Sequence, residues 1–325
     1  MSDPVRWSDT AEDVIRGDIT AAVAYVTPAG GAAVTAVAPC GIGQRDLGTA
    51  GFTTSLGFGK KLERIICNPH VALAYHAREH GYSASPAFVL VQGLASVDLK
   101  PARERLEAIA PQAERYVGKV MRGPVWDRLL REYYQERVFV DIALERVAVW
   151  PDLGASGPVE VTGAAWPGPA APQRPPKNGT GPRVDVDKAA QQVGALPHRV
   201  LAFRGADGFP VVVPVQLAGH DQAGLRLVAA PGLLPSGGRR AGLLAHAYRP
   251  QLVGLSTRTF TGWLEAGPDG VTYAPHTARG FVAPPRKKLL LVSNGLIAKY
   301  GLWQARRQGT EERLERLASG RDTRA

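Results

Sequence analysis

The chain has 325 residues, 45% of them hydrophobic, and 39 Lys and Arg against 29 Asp and Glu give a formal net charge of +10. That length can bury two cores, and the positive excess favours acidic ligands, nucleic acid or anionic surfaces. Two cysteines, Cys40 and Cys67, exclude a disulfide framework, and no apolar run is long enough for a membrane span, so the composition predicts a soluble cytoplasmic protein.

In chain order, the opening MSDPVRWSDTAED is charged and lacks the apolar core of a secretory leader. SDTAEDVIRGDITAAVAYVTPAGGAAVTAVAP then reads as a helix capped by Ser8 and stopped by Gly17, a strand, a turn at Gly30 and Gly31, and a second strand. FTTSLGFGKKLERIICNPHVALAY supplies a strand ending in three hydroxyl residues, a glycine loop, two lysines opening a helix, and another strand. FVLVQGLASV and RVFVDIALERVAVW add two more. Residues 151–182 hold eight prolines and six glycines in 32 positions, a density that breaks helix and strand alike and predicts a linker.

Beyond the linker the order repeats. Aligning Tyr25 on Phe203 puts Gly30 on Gly208 and Val37 on Val215; Asn68-Pro69 is set against Arg249-Pro250, and FVLVQGLASV against RTFTGWLEAG. AGLLAHAYRP reads as the second-half helix, with His246 on it. Such repetition implies a duplicated domain. Hairpin-linked strands with a short helix in each half predict a mainly β, α+β fold of two antiparallel barrels, residues 1–150 and 183–285, and exclude a Rossmann sheet, for which the GxGxxG turn is missing. In the helical tail, residues 286–325, Arg306, Arg307, Arg313, Arg316, Arg321 and Arg324 interleave with Glu311, Glu312 and Glu315 as a solvated helix face, which accounts for the charge without a nucleic-acid partner.

One stretch concentrates chemistry. Hydroxyls of Thr53, Thr54 and Ser55 at a strand end can donate to phosphate oxygens, while the helix that follows aims amides and its positive dipole end at the same point. Gly57 and Gly59 allow close backbone approach, and Lys60 and Lys61 add charge; adjacent helical residues diverge, so one of the two lysines faces the ligand. The stretch is not a P-loop, because Thr54 stands where the first glycine belongs and Lys61 follows Lys60. In the second half Leu227-Val228-Ala229-Ala230 replaces Phe52-Thr53-Thr54-Ser55, and a weaker anion site is expected from Ser236, Arg239 and Arg240 at the start of the matching helix. The HxxEH pattern at His76 to His80 leaves a strand and runs into Gly81, so it reads as a loop; His246 is weighed as a polar helix position against a metal or haem ligand, and no metal site is predicted.

Thr53-Thr54-Ser55, the glycine loop, Lys61 eight residues before Pro69, Asn68-Pro69-His70-Val71 and Val91-Gln92-Gly93, in that order, resemble the pyridoxamine 5'-phosphate oxidase-like split-barrel family over residues 10 to 150, and more weakly over 185 to 285. Glu63-Arg64-Ile65 departs from the Arg-Asn-Leu common there. The resemblance implies two tandem antiparallel split β-barrels, a pseudo-dimer in one chain, with FMN between them and Lys61 as its phosphate lysine. It also implies an oxidoreductase acting on a small-molecule substrate. A deazaflavin coenzyme is the alternative cofactor; a haem-binding or haem-degrading split barrel and a non-catalytic cofactor-binding module are the alternatives from other classes.

Overall fold

The computed structural model describes residues 3–320, so Arg321 and Arg324 lie outside the described residues. Helix α1 (Asp9–Gly17) starts under the Ser8 cap, whose Oγ accepts from the Ala11 amide, and leads into β1 (Ala21–Val26), β2 (Ala32–Val37), β3 (Gly43–Gln44) and β4 (Thr49–Thr54). Then come α2 (Gly59–Cys67), β5 (His70–Tyr75), β6 (Phe88–Asp98), α3 (Arg103–Val117), α4 (Pro124–Gln135) and β7 (Val138–Trp150). The second half runs α5 (Val186–Gly194), β8 (His198–Arg204), β9 (Pro210–Pro214), β10 (Gln216–Asp221), β11 (Gly224–Val228), β12 (Gly237–Ala247), β13 (Ser256–Gly267) and β14 (Gly270–Val282).

Both sheets are antiparallel and share one strand order. The first runs β2-β1-β5-β6-β7-β4-β3 and the second β9-β8-β12-β13-β14-β11-β10, the same path strand for strand. The register agrees with the sequence alignment of the hairpins: Tyr25 pairs with Ala33 as Phe203 pairs with Val211, and both turns carry a glycine at positive φ, Gly30 at 78° and Gly208 at 93°. FVLVQGLASV and RTFTGWLEAG also correspond, down to a bulge in each. There a Cβ on Gly93 would lie 2.2 Å from the Ala143 carbonyl oxygen, and one on Gly262 2.1 Å from that of Ala274. The chain is therefore two tandem antiparallel split barrels.

Two expectations change. AGLLAHA is the central strand β12, not a helix, because it is buried on both faces, where a short apolar run reads equally as either element. Since Tyr25 pairs with Val71 and Phe203 with Ala241, the counterpart of Asn68-Pro69 is Gly238-Arg239, not Arg249-Pro250. The second barrel has no equivalent of α2: a short loop joins β11 directly to β12.

The sheets face one another within the chain. Their contact is built from small side chains, with Ala22, Ala24, Ala32, Ala72 and Ala74 against Val200, Ala202, Val212 and Leu244. Gln92, fully buried, donates from Nε2 to the Pro210 carbonyl across it at 2.5 Å, and buried Arg146 pairs with Asp207. A Cβ on Gly242 would stand 2.7 Å from the Ala32 carbonyl oxygen, so Gly242→Ala forces the sheets apart. Overpacking of this kind costs about 1–3 kcal/mol, and urea denaturation should show that loss for Gly242→Ala and none for Gly267→Ala, whose Cβ meets nothing within 4 Å.

Residues 151–182 run along both barrels. A short strand (Glu160–Gly163) adds to β7, Trp166 packs edge-on to Trp150, and Gln173 donates to the Gly30 carbonyl while accepting from the Arg240 amide. Two further helices, α6 (Lys287–Arg307) and α7 (Thr310–Ala318), return to the first barrel, where Leu302, Ala305 and Leu314 complete its core.

Candidate anion site

The antiparallel pairing of β4 with β7 sets Thr54 opposite Val138 and so brings Arg137 alongside the end of β4. Its Nη2 donates to Thr53 Oγ1 at 2.8 Å. On the other side α2 carries Lys61, whose ammonium lies 5.3 Å from the Phe52 ring centroid and 5.0 Å from that of Phe58. Burial, and then the Arg137 charge, hold Lys61 down to about 7. No carboxylate pairs with Lys61 among the described residues, so two cations and a hydroxyl converge without a counter-charge. Tyr133 of α4 lies under the Arg137 guanidinium at 5.7 Å, with Asn294 of α6 next to its hydroxyl.

The structure divides the candidate residues. Thr53 and Lys61 come together; Lys60 is exposed on another face of α2. Thr54 is buried, and Ser55 Oγ is taken up by the Gly57 amide. Gly57 and Gly59 lie against the chain itself: a Cβ on Gly57 would meet the Gly301 Cα at 3.2 Å, and one on Gly59 the Thr310 methyl at 2.8 Å. The N-terminus of α2 has no side-chain cap. Sequence reading missed Arg137 and Tyr133 beneath it, whose approach to the end of β4 is purely tertiary; the one available signal was an arginine at the head of the closing strand.

Arg239 and Arg240 stand in strand β12, not at the start of a helix. Arg239 is buried and donates to the carbonyls of Ala170, Pro235 and Ser236; Arg240 donates to that of Arg174. Both fasten residues 170–174 to the second sheet. Arg239→Ala should therefore lower stability by about 2–4 kcal/mol, since it strips several charge-assisted bonds, and leave anion affinity unchanged; thermal denaturation and phosphate titration of the same preparation check both halves.

His246 is on strand β12, completely buried, and meets its counterpart His76 across the barrel contact, Nε2 to Nε2 at 2.7 Å. His76 Nδ1 faces the Ala74 carbonyl and must donate to it, so His76 Nε2 accepts from His246 Nε2–H and His246 Nδ1 is left without a partner. Burial above all pushes His76 down to about 3, and His246 well below its ordinary value. His76 to His80 form a loop beyond β5. Among the described residues no group of three or more His, Cys, Asp or Glu is arranged to hold a metal ion.

No family model matches the sequence, and no curated protein matches it. Among solved structures, a putative pyridoxamine 5'-phosphate oxidase from Listeria innocua is 15% identical with a TM-score of 0.28, the match covering 43% of this chain and 95% of that one. A pyridoxamine 5'-phosphate oxidase-related, FMN-binding protein from Nostoc punctiforme is 10% identical with a TM-score of 0.29, covering 61% and 87%. An F420 reductase is 18% identical with a TM-score of 0.30, covering 42% and 94%. The strand order shared by its two sheets makes the chain a tandem pair of split barrels, and proteins of the pyridoxamine 5'-phosphate oxidase kind are among the solved structures to which it is similar.

Proposed function

We propose that the chain is an oxidoreductase that binds one phosphate-bearing flavin-type cofactor, FMN, at the first barrel. The observation that carries this reading is the uncompensated pair of Lys61 and Arg137 beside the Thr53 hydroxyl. Two like charges held together cost free energy unless an anion joins them, and a phosphate monoester supplies both the charge and the acceptors. Lys61 and Arg137 would hold it, while Thr53, which accepts from Arg137, keeps its own hydroxyl proton to donate. The flavin ring, when bound, supplies the hydride chemistry. The barrels supply orientation and a contact surface closed to water.

The second barrel supports no equal site: Ala229 and Ala230 stand where Thr54 and Ser55 do, and the following helix is missing. A haem reading draws no support from His246, whose Nε2 is engaged by His76. Calorimetric titration of the apoprotein with FMN and with a deazaflavin coenzyme, alongside the absorption spectrum of the protein as purified, tests the proposal. One FMN per chain is expected. Tighter binding of the deazaflavin would replace FMN with the alternative cofactor, and binding of neither would end the reading.

A further inference from the structure

The inner face of α6 is accounted for: Leu290, Leu291, Gly295, Leu302 and Ala305 are buried, with Gly295 so close to Leu129 of α4 that a Cβ would meet its carbonyl oxygen at 2.7 Å. The outer face is also apolar. Leu289, Leu296, Tyr300 and Trp303, at helical spacing, form one stripe and are exposed to 52%, 56%, 64% and 53%, with Ile297 beside them at 47%. Exposed apolar side chains are ordinary when scattered, but an aligned row on one helix marks a surface that something covers.

Charge indicates what covers it. Between Asp269 and Glu311 the sequence has no acidic residue, while Arg279, Arg286, Lys287, Lys288, Lys299, Arg306 and Arg307 are basic. Lys299 and Arg306 lean towards Glu132 and Glu136 of α4, and Lys287 donates to the Val117 carbonyl. Arg286 and Lys288 at one end of the stripe, and Arg307 over the Trp303 ring at the other, have no acidic partner among the described residues. A second copy packed antiparallel on the stripe would set Lys288 against Arg307 and repel. An anionic lipid surface would neutralise both ends, and Tyr300 and Trp303, ring against ring at 5.9 Å, are the residue types that settle at a headgroup boundary.

We propose that the outer face of α6 docks the protein on anionic bilayers, the helix lying in the plane of the surface. Among the described residues no helix is long and apolar enough to cross a membrane, and the proposed contact is with the bilayer surface. The apolar stripe enters the headgroup region while Arg286, Lys288 and Arg307 meet lipid phosphates.

The test is co-sedimentation of the full chain with phosphatidylcholine vesicles, pure or with about a third phosphatidylglycerol, at low and high salt. Binding to the anionic vesicles should exceed that to neutral ones by at least about tenfold and weaken with salt. Leu296→Glu/Trp303→Glu, on solvent-facing positions, should abolish it with an unchanged thermal midpoint, and Lys288→Glu/Arg307→Glu should do the same while sparing the stripe. Failure to bind, equal binding to both vesicle types, or undiminished binding by either variant would overturn the proposal. So would a dimer in sedimentation velocity that Leu296→Glu/Trp303→Glu dissociates, which would assign the stripe to a second copy.

Discussion

Replacing Lys61 by alanine should weaken FMN binding by about tenfold to a hundredfold, the value of one buried charge-assisted bond to phosphate. Lys60→Ala should change it by less than about threefold, because Lys60 is a solvated charge on another face of α2. The pH dependence is the more specific sign. Lys61 in the free protein titrates at about 7, so the cationic form that binds phosphate is the minority above that pH. From pH 7 to pH 9 the dissociation constant should rise by about tenfold per unit once past the Lys61 value, the phosphate staying a dianion throughout. Lys61→Arg keeps the charge at every pH and should bind FMN with a flat profile over that range. Calorimetric titrations of the parent, Lys61→Ala, Lys61→Arg and Lys60→Ala at three pH values decide it; a parent profile as flat as that of Lys61→Arg would remove Lys61 from the site.

Acid should act on the histidine pair at the barrel contact. In the unfolded chain both imidazoles take up a proton near the ordinary histidine value, whereas the folded chain refuses the proton at His76 until about 3, and at His246 until well below the ordinary value. The stability they confer is thus complete above the unfolded value and falls as pH drops below it. At His76 this removes about 1.4 kcal/mol per pH unit between the unfolded value and about 3, and His246 adds to the loss in the same direction, a large share of a domain's stability. His76→Leu/His246→Leu deletes both ends of the bond and should flatten that part of the curve. His246→Leu alone strands the His76 Nε2 acceptor and should cost about 1–3 kcal/mol at neutral pH. Urea denaturation from pH 7 to 4 measures all three, and an unchanged slope in the double variant would show that other groups carry the acid sensitivity.

How much of this was legible in the sequence depends on whether the signal was local. The β1–β2 and β8–β9 hairpins could be aligned because turn glycines at positive φ mark their positions, and the replacement of Thr53-Thr54-Ser55 by Val228-Ala229-Ala230 could be read because β4 and β11 keep the same pairing partners in β7 and β14. β12 was misread because its apolar run, broken only by His246, carries no period, and the alignment of Asn68-Pro69 slipped with it. Arg137 and Lys61 share a site only because β4 pairs with β7, which no spacing reveals. Likewise Gly57 and Gly59 suit a phosphate loop on paper, yet their bare Cα atoms admit Gly301 and Thr310. A glycine records that something comes close, not what it is.

The core of the first barrel is closed by Leu302, Ala305 and Leu314, which are synthesised only after the entire second barrel. Vectorial folding, in which the earlier domain is finished while the later one is still on the ribosome, is the usual expectation for a two-domain chain. Here the first barrel has all its strands by residue 150, yet its core waits with an open flank until α6 and α7 follow the second barrel. A fragment ending at residue 285 would thus carry every strand of the second barrel beside a first barrel whose core lacks Leu302, Ala305 and Leu314.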